Sequence, residues 1–446
     1  MVGYGTLHLS HNKYCFMKVV VSIFISSLIQ VSVSAQSIYF PPNFSEIWET
    51  EDQSNLGWCD SGIENMNSFH MESNSKAFII LKNGKIALET YYDDHEITIP
   101  WYWASAGKSL TANLVGIAQS EGLIDINDPT SDYLGEGWTV LSDVQESQIT
   151  VGNQLTMTTG LDYAVSNQDC TDPSCLQFLN EPDEEWFYHN APYKLLTEVI
   201  SNASGQTYTK YTNESLANKL GFIGLWLDSG QNRVFYSTAR GMARFGLYMI
   251  AEGEWNGTQI FEDESYFQAM INPSQSINAS YGYLWWLNGQ DSYRLPGSTL
   301  NFDGSLVPDA PDDMYAAIGK NGQICMVVPS QDLVIVRMGE NPDESLLPLS
   351  YVRDLWNQYE KLNCSNSIEN EFLSSIKVWP RLTSDLLYFE SDVDIDRVDI
   401  IDRVGRIVMC VGNTDILDIG LMQAGIYFVR ISVGSQSITK RIMKVD

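Results

Sequence analysis

Apolar and polar positions change period several times along this chain, and each change marks an element. Ala77–Leu81 and Lys85–Tyr92 are two apolar, β-prone runs on either side of Lys82-Asn83-Gly84. An Asn-Gly pair between two such runs predicts a β-hairpin, because both residues tolerate the positive φ of a tight turn. From Ser105 to Glu121 the period lengthens to that of a helix, and Gly122 follows as a stop. Ala191–Asn202 repeats the helical pattern and closes on Ser204-Gly205. Thr238–Glu252 sets Met242, Phe245, Met249 and Ile250 on one helical face. Met314–Ile318, Ile324–Pro329 and Leu333–Met338 are apolar runs of strand length, and Tyr351–Leu362 reads as a closing helix. Strands at both ends with helices between them predict an α/β (α+β) fold. Its centre is one antiparallel sheet flanked by helices, with an inserted helical lobe.

The two ends of the chain differ in character from this middle. Lys13 and Lys18 precede an apolar run from Val19 to Val33, and Val33-Ser34-Ala35 is a small-residue cleavage pattern. Residues 1–35 are therefore expected to be a signal peptide, with Met17 an alternative start. The run is short and broken by serines, which argues against a membrane anchor. After Cys364 the helical period is lost. Val398–Asp402, Arg406–Met409, Gly425–Ile431 and Ser437–Ile442 are short alternating runs separated by Asp, Gly and Asn. They predict a small C-terminal β-sandwich over 377–446, joined by a linker at 363–376 to a main domain at 36–362.

Composition narrows the partners. The chain carries 56 acidic and 26 basic side chains, a formal net charge of −30. Such a surface repels nucleic acid and anionic membrane, so neither is expected as a partner. Seven cysteines occur, of which Cys15 leaves with the signal. Cys170 and Cys175 bracket a short loop and can bridge in an oxidising compartment, as can Cys59 and Cys364. Cys325 and Cys410 lie in apolar runs and are expected to be buried thiols. No cysteine spacing suits zinc, and His70, His95 and His189 lack ligand-like neighbours. No metal and no cofactor are expected.

Ser105-Ala106-Gly107-Lys108 is the first candidate for chemistry. A serine hydroxyl needs a base to become a nucleophile. Residues three apart on a helix share a face, so Lys108 can present its amine to Ser105. Burial and a helix N-terminus both disfavour the charged amine. An ordinary helix start with a surface lysine has the same four residues, so the tetrapeptide needs its context: Trp101 and Trp103 before it and an apolar helix after it. Tyr188-His189-Asn190 is the second candidate. A tyrosine near the pair can relay a proton to a leaving group, and Asn190 can bond the lysine and a substrate amide. The bland alternative is a surface tyrosine and a helix-capping asparagine.

These motifs occur in an order that resembles a known superfamily. Ser105-Ala106-Gly107-Lys108-Ser109, Gly122–Pro129, Leu155–Leu161, Tyr188–Pro192, Ala239–Gly246 and Tyr281–Trp286 together resemble the serine β-lactamases and penicillin-binding proteins. The likeness spans about residues 70–360. It is nearest the class C-like esterases, D-peptidases and 6-aminohexanoate-dimer hydrolases. The resemblance implies a β-lactamase-like fold, with Ser105 acylated, Lys108 as base, Tyr188 as proton relay and Asn190 as second-motif partner. The usual Lys-Thr-Gly or His-Thr-Gly is missing. Its counterpart is Gly319-Lys320-Asn321-Gly322-Gln323. Lys320 reads as a turn residue as readily as a catalytic one, since Lys82-Asn83-Gly84 sits in a plain hairpin. Backbone N–H groups near Gly319 and Lys320, with that of Ser105, would form an oxyanion hole. Leu284-Trp285-Trp286 reads either as an apolar acyl pocket or as core. Loss of the usual cation–hydroxyl pair favours ester or amide hydrolysis of a small-molecule or short peptide-like substrate. A true β-lactamase or D-peptidase is an alternative, and so is a catalytically silent binding protein.

Val398–Arg406, Ala424–Arg430 and Thr439–Val445 resemble the C-terminal sorting domain of the type IX secretion system, with Val378-Trp379-Pro380-Arg381 in place of its usual opening. That implies secretion machinery as a partner and a secreted or cell-surface product exported through the periplasm. A carbohydrate-binding or adhesive β-module is the alternative.

Overall fold

A computed structural model describes residues 38–363 and 376–445, except 231, 343, 344, 346, 392, 393, 404, 405, 434 and 435. The expected signal peptide, most of the expected linker, and Cys364 with its expected bond to Cys59 lie outside the described residues.

Strands β1 (Ser75–Lys82) and β2 (Lys85–Tyr91) form the expected hairpin. Asn83 and Gly84 take positive φ at its tip, 50° and 80°, which suits the twist of the flanking strands. A short strand β3 (Trp101–Tyr102) joins β4 (Leu225–Ser229) and β5 (Asn232–Ser237) in a small sheet ordered β3-β5-β4. The main sheet is completed by β6 (Trp286–Leu287), β7 (Tyr315–Gly319), β8 (Gln323–Val328) and β9 (Leu333–Gly339). Its order is β2-β1-β9-β8-β7-β6, and every pair is antiparallel. Every residue of β8 and β9 is buried, so these strands read as continuous apolar runs instead of alternating ones.

Five helices matter for the site. They are α1 (Asp60–Glu72), α2 (Gly107–Ser120), α3 (Asn190–Ser204), α4 (Ala239–Ile250) and α5 (Leu349–Glu360). Helix α2 is buried from Gly107 to Ala118 and packs against α3, the heart of the inserted lobe. Helix α3 ends on Gly205 in the left-handed conformation, the stop its sequence announced. Helix α4 lies on β1, β8 and β9. The helix comes close to the sheet at Gly246, where a Cβ would meet Val334 Cγ1 at 2.5 Å and Cys325 Sγ at 2.9 Å. A Gly246→Val variant must push the helix off the sheet. We expect it to lose about 2–3 kcal/mol, read as a lower urea midpoint at unchanged m-value.

The C-terminal strands build a second, separate hydrophobic cluster. Strands β10 (Lys377–Trp379), β12 (Leu386–Glu390) and β15 (Ile416–Asp418) form one sheet. In the other, β11 (Leu382–Thr383), β17 (Gln436–Lys444), β16 (Gly425–Val433), β13 (Arg397–Asp402) and β14 (Ile407–Val411) are neighbours in that order. Leu387, Phe389 and Leu417 of the first sheet meet Val398, Ile400, Val429 and Ile431 of the second in one core. Cys170 and Cys175 are bridged, and Cys325 is buried, both as expected. Cys410 corrects the sequence reading: its thiol is exposed. It lies on β14, at the edge of its sheet, where an apolar run need not be covered on both faces.

Candidate active site

The chain enters the site along β3. Trp103 N–H donates to the Phe235 carbonyl at 2.8 Å, and the buried Trp103 indole N–H donates to Ser237 Oγ at 2.9 Å. Ala104 is then left-handed, φ 47°, an arrangement that costs an L-residue about 1–2 kcal/mol. The paired tryptophan before it and the helix after it hold that kink. A single turn of 3-10 helix, Ala104–Ala106, carries Ser105 and runs into α2. Ser105 N–H is among the first donors of this turn, which have no acceptor within their own helix.

Lys108 lies one turn on, with its amine 3.1 Å from Ser105 Oγ. The side chain is only 4% exposed. Burial pushes the amine down to about 7; the Lys194 charge acts in the same direction and Asp169 opposes it. The ring faces of Tyr193 and Tyr188 lie 4.3 and 4.8 Å from the amine and favour its charged form. Desolvation outweighs them, so near neutral pH a large fraction of Lys108 is an uncharged base.

Tyr188 closes the other side of Ser105. Burial drives its phenol well above the usual range, while hydrogen bonding with Ser105 pulls the other way. Tyr188 is therefore a neutral hydroxyl at working pH. Trp286 lies nearly parallel to its ring, with centroids 5.9 Å apart, and Tyr281 meets it edge-on. Trp285 and Trp286 are both buried, and Trp285 packs on Phe245 and Tyr315. The aromatic segment is thus core that supports Tyr188. His189 is buried, neither ring nitrogen is bonded among the described residues, and burial pushes it down to about 4, so it stays neutral.

The remaining candidates are placed as follows. Asn190 opens α3, and its Oδ1 is buried and accepts no hydrogen bond among the described residues. The expected bond from Lys108 to that oxygen is not made in this structure. Gly319 ends β7 against the nucleophile turn: a Cβ there would lie 2.5 Å from the Trp103 carbonyl oxygen and 3.0 Å from Ser105 N. Beyond Ala316 the outer edge of β7 has no partner strand among the described residues, so it runs unpaired past Ser105. Lys320 begins the following turn with an exposed side chain.

Sequence reasoning missed several residues near the pair. Tyr193, which faces Lys108, lies three residues after Asn190 on the same helix, so helical spacing was a usable signal. Asp169 and Lys194 also act on the amine: Lys194 follows Tyr193 on α3 and donates to the carbonyl of Asp169, the residue before the Cys170–Cys175 bridge, and no local pattern marks Asp169.

A six-stranded antiparallel sheet in which the end of β7, past its short pairing with β6, lies beside a Ser-x-x-Lys helix start defines a serine hydrolase fold of the penicillin-recognising class. The chain belongs to the β-lactamase family, whose model matches residues 70–344. A model of the secretion system C-terminal sorting domain matches residues 377–445, and this indicates export to the cell surface or beyond. An uncharacterised protein of Alkalihalophilus pseudofirmus is 24% identical over 304 residues, covering 60% of this chain and 84% of that one. Among solved structures, a candidate 6-aminohexanoate-dimer hydrolase from Bacillus anthracis is similar at TM-score 0.56 and 16% identity, over 75% of this chain and 90% of that one. A family VIII carboxylesterase is similar at TM-score 0.51 and 15% identity, over 68% and 97%. At such identities the structural likeness speaks for the fold. Among the described residues no helix is long and apolar enough to cross a membrane.

Proposed function

We propose that this protein is an exported serine hydrolase that cleaves an ester or amide bond through an acyl-enzyme on Ser105. The observation that carries this reading is the buried Lys108 amine 3.1 Å from Ser105 Oγ; its burial pushes the amine down to about 7. Lys108 takes the serine proton as Oγ attacks the substrate carbonyl. The oxyanion is held by Ser105 N–H and an N–H at the Gly319–Lys320 end of β7. Tyr188 and Lys108 return the proton to the leaving group, and water releases the acid. Asn190, whose buried Oδ1 accepts no hydrogen bond among the described residues, is suited to a donor on the substrate. The chain's own residues supply every step, with no cofactor.

The substrate is a small molecule or a short peptide-like chain. The third motif lacks the cation–hydroxyl pair that would bind a carboxylate beside the scissile bond, and Lys320 lies in a turn with its side chain in solvent. Both favour ester or amide hydrolysis over β-lactam or D-peptide cleavage. An assembled Ser105–Lys108 pair is not needed by a silent binding protein. The C-terminal domain is the part that engages the secretion machinery.

Mass spectrometry after treatment with a fluorophosphonate tests the reading. We expect a single stable adduct on Ser105, absent in Ser105→Ala. Modification of a different residue, or none at a concentration that saturates other serine hydrolases, rejects it. Turnover of p-nitrophenyl esters, aminohexanoate oligomers, nitrocefin and D-aminoacyl amides in parallel would rank the substrates.

A further inference from the structure

Two polar side chains interrupt the otherwise apolar strands β8 and β9. They are Gln323 and Arg337, and both are fully buried. The Gln323 amide binds both backbone groups of Gly339, donating to its carbonyl at 2.6 Å and accepting from its N–H at 3.1 Å. The same nitrogen points to the Lys320 and Asn321 carbonyls at 3.4 and 3.2 Å. Arg337 donates to the Asn321 and Gly322 carbonyls at 2.5 and 3.0 Å, and to those of Ser73 and Glu340 at 2.6 and 3.0 Å. Its remaining donor reaches Ser75 Oγ at 3.0 Å. All five contacts are to neutral oxygens. A guanidinium buried without a carboxylate is an expensive way to stabilise a sheet, and a well-packed apolar residue would do that better.

What Arg337 grips is the turn that follows Gly319. Asn321 sits left-handed at φ 63° and donates through Nδ2 to the Tyr102 hydroxyl at 2.7 Å. Tyr102 lies on β3, three residues before Ser105. The turn is thus tied on one side to the sheet, through Arg337 and Gln323, and on the other to the strand that delivers the nucleophile.

We propose that Arg337 is a positioning residue for the oxyanion hole: by clamping the Lys320–Gly322 turn it fixes the unpaired edge of β7 beside Ser105. The planar fork can hold two adjacent carbonyls at once, which a lysine cannot. This rests on the acyl-enzyme reading above. It adds that the register between strand and nucleophile depends on one buried cation whose donors are all used internally, leaving none for substrate.

The test uses the full chain and two variants, Arg337→Lys and Asn321→Gly. Glycine accepts the left-handed position without strain, so Asn321→Gly keeps the turn while removing its tie to Tyr102. Steady-state hydrolysis of a p-nitrophenyl ester is measured together with affinity for a boronic acid that mimics the tetrahedral intermediate. In Arg337→Lys we expect kcat to fall about 10- to 100-fold with KM within about 2-fold, boronate affinity to fall in parallel, and the pH midpoint to stay put. In Asn321→Gly we expect a kcat loss of about 3- to 10-fold of the same kind. A folded Arg337→Lys with wild-type kcat, or with a kcat loss that leaves boronate affinity intact, overturns the proposal. If Arg337→Lys does not fold, unchanged kcat in Asn321→Gly overturns it instead. A wild-type protein that forms no adduct on Ser105 overturns the acyl-enzyme reading together with this one; a labelled wild type beside unaffected variants overturns this one alone.

Discussion

Lys108→Met is expected to lose about 10³-fold in kcat/KM while gaining thermal stability. The loss follows from removing the base that lies within reach of Ser105 Oγ; general base catalysis contributes about 10²–10⁴-fold. The gain follows from linkage. In the folded chain the amine is pushed down to about 7, against 10.5 for an unperturbed lysine. Between those two values the unfolded chain binds more protons than the folded one, so wild-type stability rises with pH through that window. Below about pH 7 the penalty is fully present. At neutral pH it is about 4 kcal/mol, because each tenfold change in proton affinity is worth about 1.4 kcal/mol. Methionine fills a similar volume without that penalty. Differential scanning calorimetry at pH 7 and pH 10 checks the sign: the variant should exceed wild type by more at the lower pH. The same depressed pKa predicts that the acylation rate of the wild type climbs with pH to a plateau, with a midpoint near 7. A flat profile from about pH 5 to about pH 9, or a variant no more stable than wild type, would mean that the amine is solvated and charged.

Gly319→Ala is expected to lower kcat by about 10²- to 10³-fold, the range seen when one oxyanion donor is lost. Glycine is not required there for its conformational freedom, since φ is −123° and ψ is 161°, ordinary extended values. It is required for space. An added Cβ would meet the Trp103 oxygen at 2.5 Å, Ala106 N at 2.9 Å and Ser105 N at 3.0 Å. All three are backbone atoms, so no side-chain rotation relieves the clash. The strand must withdraw from the nucleophile, and the N–H groups it presents withdraw with it. Burst kinetics with a p-nitrophenyl ester would place the defect in acylation, with labelling of Ser105 slowed to match. Wild-type turnover in a folded Gly319→Ala would remove β7 from the chemistry.

The chain's periodicity determined the elements themselves. The hairpin at Asn83-Gly84, the helices that start near Ser105 and Asn190, and the three late strands could be read because turn chemistry and side-chain spacing are local properties. Spacing also placed Ser105 and Lys108 on one helical face, and that juxtaposition survives in any fold that keeps the helix. Tertiary structure decided what those groups are chemically. A lysine amine is a base near neutral pH only because burial against Tyr188 and Tyr193 removes water from it, and those rings come from a part of the chain some eighty residues on. Gly319 and Arg337 show the same limit from the other side. In sequence one is a strand end and the other a polar break in an apolar run. Each gains its meaning from a neighbour far along the chain, because close packing and desolvation depend on what the fold brings within a few ångströms. Cys410 failed for that reason too: an apolar strand looks the same in sequence whether it lies at the middle of a sheet or at its edge.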